Sequence, residues 1–372
     1  MALFQARADS SKADWLRMNM IDDGPKTAIA AILVEQNSDL VIGEITLPES
    51  LEIGQVLVEL RYSGICGSQL GEIDGVKGPD RWLPHLLGHE GSGHVISIGP
   101  GVKHIKPGDA VVLHWRPSLG IEAATPKYQW GDKTVNAGWV TTFNNFAIVS
   151  ENRLTAIPAE TDLKTATLYG CAVTTGFGVI DNRANIRLGE TVVIFGAGGI
   201  GLNIVQGAAL AGARSIIAVD RFANRLELAK SCGATETIDG STCDPWARLN
   251  EIFQHEALDV FIDNTGNPGI ISQGYSLTAN HGRTILVGVP RTGADTAIHT
   301  LPLHFGKSIT GTTGGEAIPH RDIPRYMALV DSRSVDLTDL ITEIEPLAGV
   351  NGLIKKMRNG ESAGRCLVDF SL

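Results

Sequence analysis

The segment from Val192 to Gly201 limits most strongly what this chain can fold into. It opens with a short apolar run, typical of a buried strand, and a glycine-rich loop then leads into a helical stretch. Gly196, Gly198 and Gly201 have the spacing of the dinucleotide-binding fingerprint, in which they permit a tight turn, the approach of a pyrophosphate and the packing of the helix on the strand. The segment therefore predicts a strand–loop–helix unit that binds a dinucleotide.

The helix that begins at Gly199 and Ile200 would present free N–H groups and a partial positive charge to the phosphates. The next strand-like run ends at Asp220. We expect the Asp220 carboxylate to accept hydrogen bonds from ribose hydroxyls and to repel a 2′-phosphate, which favours NAD over NADP. Arg221 follows directly and works against this preference. The alternative is an acidic turn residue in a fold that binds no cofactor.

The hydrophobic periodicity changes along the chain and predicts two kinds of domain. From about residue 173 to 311, strand-like and helical stretches alternate, which predicts an α/β fold with a doubly wound parallel sheet. Residues 28–149 are β-like, which predicts a mostly antiparallel or barrel-like unit. We divide the chain into an N-terminal extension (1–26), a β-rich domain (27–175), a dinucleotide-binding domain (176–317) and a C-terminal segment that returns to the first domain (318–372).

Composition excludes several classes of protein. With 372 residues, 43% hydrophobic and 19% charged, the chain predicts a folded protein of two domains. A formal net charge of −10 argues against nucleic acid or an anionic membrane as partner. No apolar run is long enough to span a bilayer, and residues 1–26 lack the apolar core of a secretion signal. Five scattered cysteines give no disulfide framework, so we expect a reducing, cytoplasmic setting.

Cys66, His89 and Cys171 are candidate metal ligands, each flanked by glycines. Two thiolates and one imidazole suit zinc, and a fourth position stays free for water or a substrate oxygen. Zinc at such a position lowers the pKa of an alcohol. Taken singly, a cysteine is more often a small buried hydrophobe and a histidine near glycines a loop residue. Glu90, next to His89, is either a solvated carboxylate or a group that supports the ligands or joins them transiently.

With these motifs in order along the chain, the sequence resembles the zinc-dependent medium-chain alcohol and polyol dehydrogenases. The motifs are Gly64-Ile65-Cys66-Gly67-Ser68, Gly88-His89-Glu90-Gly91, Lys106-Pro107-Gly108-Asp109, Gly170-Cys171 and Gly196-Ala197-Gly198-Gly199-Ile200-Gly201. The resemblance implies a GroES-like, mostly β catalytic domain, a Rossmann coenzyme domain, a cleft between them, and homodimers or homotetramers.

The resemblance also implies roles for individual residues. Cys66, His89 and Cys171 match the zinc ligands, and Ser68 matches the hydroxyl that takes the proton of the alcohol before hydride passes to the nicotinamide. Further positions match cofactor contacts: Arg225 beside the adenosine ribose, Val287 and Val289 beside the nicotinamide, and Arg365 near the pyrophosphate.

Three departures from the family pattern are informative. Gln69 stands where the family has an acidic residue that orients the zinc-binding histidine. Gly71 stands where many members have a histidine that ends the proton relay, which leaves nearby Glu72 as a candidate. The segment after Asp109 has none of the four clustered cysteines that bind a structural zinc in many members. We therefore predict one zinc per chain and a lobe that is held by packing. Trp130 and Trp139 are the candidate residues for this packing.

Trp115, Arg116 and Phe143 are the candidate substrate-pocket residues, with His114, Thr142 and Asn145 as possible neighbours. An arginine in the cleft favours an oxygen-rich or anionic substrate, because guanidinium pairs well with carboxylate or phosphate. The alternatives are core packing for Trp115 and a surface position for Arg116. The polar set favours a polyol or a sugar-like alcohol as substrate.

The sequence leaves two other functions open. One is a zinc-free reductase of the same fold that acts on a double bond, as in quinone or enone reduction. The other is a non-catalytic, structural protein that has kept the fold and binds NAD(H). Metal analysis separates the first from a zinc alcohol dehydrogenase, and an activity screen separates the second.

Overall fold

The computed structural model describes residues 24–372, so most of the predicted extension at 1–26 lies outside the described residues. The strands are β1 (Thr27–Leu33), β2 (Val41–Thr46), β3 (Gln55–Ile65), β4 (His85–Leu86), β5 (Glu90–Ile98), β6 (Ala110–His114), β7 (Lys127–Trp130), β8 (Lys133–Asn136), β9 (Phe146–Ser150), β10 (Leu154–Ile157), β11 (Thr191–Phe195), β12 (Ser215–Asp220), β13 (Glu236–Asp239), β14 (Val260–Asp263), β15 (Arg283–Leu286), β16 (Ser308–Gly311), β17 (Ile341–Glu345) and β18 (Arg365–Asp369).

Nine α-helices occur in the described residues. They are α1 (Gly67–Ile73), α2 (Leu163–Ala166), α3 (Ala172–Gly178), α4 (Gly199–Leu210), α5 (Ala223–Ser231), α6 (Pro245–Ile252), α7 (Pro268–Leu277), α8 (Pro319–Arg333) and α9 (Val350–Asn359). Among the helices of residues 24–372, none combines the length and the apolar character that a membrane crossing requires.

The first unit is built from two β layers. Strands β1, β2, β7, β8 and β4 close into a small barrel, and a seven-stranded sheet runs in the order β10-β6-β5-β3-β18-β17, with β9 also paired to β3. The barrel encloses apolar side chains that are fully buried, including Ile32, Ile45 and Tyr128. This unit positions the ends of β3 and β5, which carry the candidate site.

The second unit is a parallel sheet of six strands in the order β13-β12-β11-β14-β15-β16. Its central strands are apolar at almost every position because helices cover both faces. Val193, for example, pairs with Ile217 on one side and Phe261 on the other, and all three are at most 1% exposed. The predicted fold class, a mostly β unit joined to a doubly wound parallel sheet, is confirmed.

The C-terminal segment lies against the first unit. Strand β18 pairs antiparallel with β3, with Cys366 opposite Ile65, and parallel with β17. Because β3 ends at Ile65, this pairing brings the last strand of the chain next to Cys66.

The lobe after Asp109 is held by hydrogen bonds and packing. Strands β7 and β8 form a hairpin in which the buried Tyr128 hydroxyl accepts a hydrogen bond from the Ile148 N–H at 2.9 Å. Trp130 packs on the barrel core, whereas Trp139 is 46% exposed and has the Arg153 guanidinium over its ring, 5.2 Å from the centroid.

A buried carboxylate ties the same lobe to its neighbours. Glu151, 1% exposed, accepts hydrogen bonds from the N–H groups of Lys103, His104 and Ile121 at 2.6–2.8 Å. One side chain thereby joins three backbone donors from two separate loops.

Candidate active site

The three candidate metal ligands meet at one point. Cys66 follows β3 and caps α1, His89 lies between β4 and β5, and Cys171 caps α3. Their ligating atoms all lie within 4.8 Å of one another, and the two sulfur atoms are 3.9 Å apart. Hydrogen bonding between the sulfurs lowers the pKa of Cys66 and raises that of Cys171.

The donor set fits a zinc ion. The Nε2 atom of His89 is buried and has no hydrogen-bond partner in residues 24–372, although a buried polar atom is costly to leave unpaired. Sulfur and imidazole nitrogen are the donors that zinc prefers, and three of them leave a fourth position open. The arrangement therefore suits a three-ligand zinc site.

Gln69 lies directly behind this site and is 1% exposed. Its Oε1 accepts a hydrogen bond from the Cys66 N–H at 2.8 Å, and its amide nitrogen contacts Nδ1 of His89. One amide therefore contacts two of the candidate ligands.

Glu90 and Arg365 form a buried ion pair beside the ligands. The distance from Arg365 Nε to Glu90 Oε1 is 3.2 Å, and both residues are at most 4% exposed. Burial raises the pKa of Glu90 to about 7, against the opposing effect of Arg365. Nη1 of Arg365 also donates to the Ile65 carbonyl and lies 3.2 Å from where a Cβ on Gly199 would stand. Arg365, expected beside a pyrophosphate, is thus engaged with Glu90 at the border of the glycine loop.

The glycine loop between β11 and α4 has the geometry that its sequence predicts. Gly196 has φ +93°, a left-handed conformation that favours glycine. A Cβ on Gly201 would overlap the Gly196 carbonyl oxygen, whereas one on Gly198 would have Arg225 Nη1, at 3.9 Å, as its nearest neighbour. The loop therefore leaves its Gly198 face open to a ligand.

Asp220 holds this loop from the end of β12. Its Oδ2 accepts from the Ala197 N–H at 2.8 Å, and its Oδ1 accepts from the N–H groups of Arg221 and Phe222. Arg225 lies 3.8 Å from the same carboxylate. Asp220 and Arg225 line a cleft of about 380 Å³ beside the loop, which suits a nucleoside.

A larger cavity of about 870 Å³ opens above the candidate ligands. Both units contribute to its wall, and its lining includes Cys66, Ser68, His89, Trp115, Cys171, Ile200, Val287 and Val289. The structure thus brings the ligands, the serine and the expected nicotinamide contacts to one cavity.

Two predicted pocket residues do not line this cavity. Phe143 is fully buried in the core that packs around Leu87, because its ring fills the space beside Gly88. Arg116 donates through Nε to the Ala317 carbonyl at 2.8 Å and through Nη1 to the Thr313 carbonyl, so its guanidinium is used in holding another loop. The assignment of Phe143 and Arg116 to the substrate pocket is therefore wrong.

The possible neighbours of those residues are also internal. Thr142 is fully buried and accepts from Ser63 Oγ, and Asn145 accepts from the Ile29 N–H. His114 is buried against Thr155, and burial lowers the pKa of its ring to about 4.

The outer wall comes from a segment that sequence reasoning missed apart from Glu72. Lys77, Asp80, Arg81 and Trp82 line the cavity from the stretch after α1. Glu72, Asp80 and His85 also form a cluster whose ligating atoms lie within 4.8 Å of one another. The signal in the sequence was a run of charged residues between glycines, directly after the Cys66 motif.

Comparisons with known proteins agree with this geometry. A zinc-binding dehydrogenase family profile matches residues 199–332, and an alcohol dehydrogenase GroES-like domain profile matches residues 52–159. An alcohol dehydrogenase class-3 of Cereibacter sphaeroides is 30% identical over 369 residues, covering 90% of this chain and 97% of the relative. An S-(hydroxymethyl)glutathione dehydrogenase of Paracoccus denitrificans is 29% identical over 366 residues, with the same two coverages.

Among solved structures, the benzyl alcohol dehydrogenase of Acinetobacter calcoaceticus is 26% identical, with a TM-score of 0.83, and the match covers 93% of this chain and 99% of that one. A β-rich unit and a parallel-sheet unit share a cavity that is lined by two cysteines and a histidine. This combination defines a zinc-type, nicotinamide-linked dehydrogenase. The chain belongs to the zinc-dependent medium-chain alcohol dehydrogenase family, and the predicted resemblance is confirmed. It is an oxidoreductase of the alcohol dehydrogenase type.

Proposed function

We propose that this protein is an NAD-linked alcohol dehydrogenase that uses one zinc ion per chain and acts on a small polar alcohol. The observation that carries the proposal is the buried Nε2 of His89, which has no hydrogen-bond partner in the described part of the chain and lies close to two thiols that line the large cavity. A zinc-free reductase of the same fold has no need for this donor set.

Cys66, Cys171 and His89 would hold the zinc, which would supply a Lewis acid that lowers the pKa of an alcohol hydroxyl. Ser68 stands beside Cys66 on the cavity wall, where its hydroxyl accepts the proton of the alcohol and passes it on. Val287, Val289 and Ile200 border the same space and would keep the nicotinamide face against the substrate carbon. A nicotinamide bound there would supply the acceptor for the hydride of the alcohol carbon.

NAD is the proposed cofactor because Asp220 places a carboxylate in the nucleoside cleft. Arg221 and Arg225 border the same cleft and weaken the preference without removing the charge. We expect kcat/KM to be higher with NAD than with NADP.

The substrate proposal now rests on different residues from those that the sequence suggested. Lys77, Asp80, Arg81 and Glu72 line the outer wall of the cavity and offer charged partners to hydroxyl groups, which suits a polyol or sugar-like alcohol. Lys77 and Arg81 equally suit carboxylates, which favours S-(hydroxymethyl)glutathione as a second candidate.

A purified sample tests both candidates. Zinc content per chain is measured first, and NADH formation is then followed with ethanol, benzyl alcohol, 2,3-butanediol, glycerol, sorbitol, and formaldehyde mixed with glutathione. Faster turnover of sorbitol or glycerol than of ethanol supports the polyol proposal. Turnover that depends on glutathione supports the second candidate, and the highest kcat/KM with ethanol or benzyl alcohol overturns both.

We also propose that the protein forms homodimers or homotetramers. Strand β16 is the edge strand of the parallel sheet, and Leu301 and Phe305, just before it, are 56% and 65% exposed. An open sheet edge beside exposed apolar side chains is a surface that oligomerisation would cover. Light scattering on the purified protein tests this, and a monomer at micromolar concentration contradicts it.

A further inference from the structure

Helix α1 carries two polar side chains that line the large cavity, Ser68 and Glu72. They are four residues apart, so they lie on the same face of the helix, with their Cβ atoms about 5–6 Å apart. Gly71, on the same wall, has no side chain to fill the space between them. Ser68 and Glu72 therefore face the same cavity, and no side chain of residue 71 stands between them.

The neighbours of Glu72 are already paired with each other. The two ring nitrogens of His85 are engaged with the Leu86 carbonyl, at 2.9 Å, and with Asp80 Oδ2, at 2.8 Å. The other oxygen of Asp80, Oδ1, accepts a hydrogen bond from the Trp82 N–H at 2.8 Å. The Glu72 carboxylate makes no hydrogen bond within residues 24–372 and remains available.

Several groups act on the carboxyl of Glu72. Partial desolvation of the carboxyl at the cavity wall raises its pKa, Asp80 adds to this effect, and His85, His89 and Lys77 oppose it; the net result is a pKa above the usual value. A carboxylate with a raised pKa accepts a proton more readily near neutral pH. The side chain also stands at the exposed rim, from which a proton can pass to bulk water.

We infer that Glu72 accepts the alcohol proton after Ser68 and releases it to solvent. This inference rests on the proposed function. In each turnover the alcohol loses a hydride, with both bonding electrons, to the oxidised nicotinamide and loses its hydroxyl proton to Ser68. Ser68 gives its own proton to the Glu72 carboxylate, directly or through water, and Glu72 returns to the carboxylate when it protonates a solvent molecule.

The test is Glu72→Gln, which keeps the shape and removes the base. In stopped-flow experiments with NAD and the best alcohol of the panel, a dye reports proton release and absorbance reports NADH. At pH 7 we expect both rates to fall by at least about tenfold. Added formate should restore them in a concentration-dependent way, because a small carboxylate can occupy the position of the missing group. The matched control is Asp74→Asn, an exposed carboxylate at the end of the same helix that does not line the cavity.

Rates in Glu72→Gln equal to those of the wild-type protein overturn the inference, and so does a slow variant that formate does not restore, since Glu72 would then act only through structure. A second variant adds Gly71→His to Glu72→Gln. A Cβ on Gly71 would meet only Val76, at 3.8 Å, so a side chain fits there, and its imidazole should restore proton release. A wild-type protein that binds zinc but oxidises no alcohol of the panel instead overturns the proposed function itself.

Discussion

At the scale of single residues, Gln69 is the side chain whose contacts bear most directly on metal binding by His89. An amide has one acceptor oxygen, and that oxygen is taken by the Cys66 N–H. To bind a metal through Nε2, a neutral His89 must carry its proton on Nδ1 and donate it. Gln69 turns its NH₂ group toward that same Nδ1, so two donors would face each other. Gln69 can therefore satisfy Cys66 or the metal-bound form of His89, but not both fully.

This conflict predicts that Gln69→Glu binds zinc more tightly, because a carboxylate accepts from both donors and adds negative charge. We expect zinc to leave the variant roughly tenfold more slowly, in line with the usual effect of such supporting groups. Transfer of zinc to a coloured chelator measures the rate without any assay of activity. Gln129→Glu, at an exposed site on β7, is the matched control. Equal rates in all three proteins would contradict the argument.

A second residue-scale prediction concerns the glycine loop. Gly201→Ala should weaken NAD binding by tenfold or more, because the added methyl group overlaps the Gly196 carbonyl and moves the loop that faces the cofactor. Quenching of tryptophan fluorescence by NADH measures the dissociation constant. In Gly352→Ala the new Cβ meets nothing within 4 Å, so this control should leave binding unchanged. Tight NADH binding by Gly201→Ala would refute the assignment of the loop.

At the scale of elements, the lobe between β6 and β9 shows how a single carboxylate joins separate loops. Burial raises the pKa of Glu151, but hydrogen bonds from Lys103, His104 and Ile121 lower it by more, and the net pKa lies below the usual value. Since the folded state favours the ionised form, Glu151 stabilises the fold above the pKa of the unfolded chain. This stabilisation is lost as pH falls through the lower, folded-state pKa.

Glu151→Gln should therefore destabilise the protein at pH 7 by about 1–3 kcal/mol, because the amide has only one acceptor for three donors. Urea unfolding followed by circular dichroism gives the free energy of unfolding. The difference between wild type and variant should shrink as pH is lowered toward 3. Glu160→Gln, on an exposed turn, controls for the loss of one charge. A difference that stays constant at every pH would contradict the stabilising role of the ionised Glu151 carboxylate.

Some features of the fold and of the site can be predicted from the sequence, and others cannot. The glycine loop and the cluster of Cys66, His89 and Cys171 follow from local motifs whose chemistry is specific. Arg116 was misplaced because its partners, the carbonyls of Thr313 and Ala317, lie about 200 residues further along the chain. No local pattern contains that information, and the outer wall of the cavity depends in the same way on how a loop folds back over α1.

At the scale of the whole molecule, the two units meet around the cavity and the C-terminal segment supports it from behind. Arg365 comes from the last strand, yet it is the charge partner of Glu90 beside the candidate metal ligands. Breaking a buried ion pair leaves one charge uncompensated. The resulting loss of stability is far larger than the stability that a surface ion pair contributes.

Arg365→Met should accordingly destabilise the protein by about 3–5 kcal/mol, whereas the double variant with Glu90→Gln should recover much of this loss. The free energy of unfolding in urea for both single variants and the double variant gives the coupling energy. Arg61→Met is the control, because Arg61 pairs with Asp369 of the same strand but is more exposed. Additive effects of the two changes would show that the pair is not coupled.

The pairing of β18 with β3 also has a consequence for biosynthesis. Arg365 donates a hydrogen bond to the Ile65 carbonyl across 300 residues of sequence, so Cys66 is synthesised long before the strand that pairs with β3 beside it. At a synthesis rate of roughly 5–20 residues per second, this delay is about 15–60 seconds. Until β18 is synthesised, the nascent chain carries Cys66 and His89 without the strand that pairs with β3, so the surroundings of the candidate metal site are incomplete over this interval.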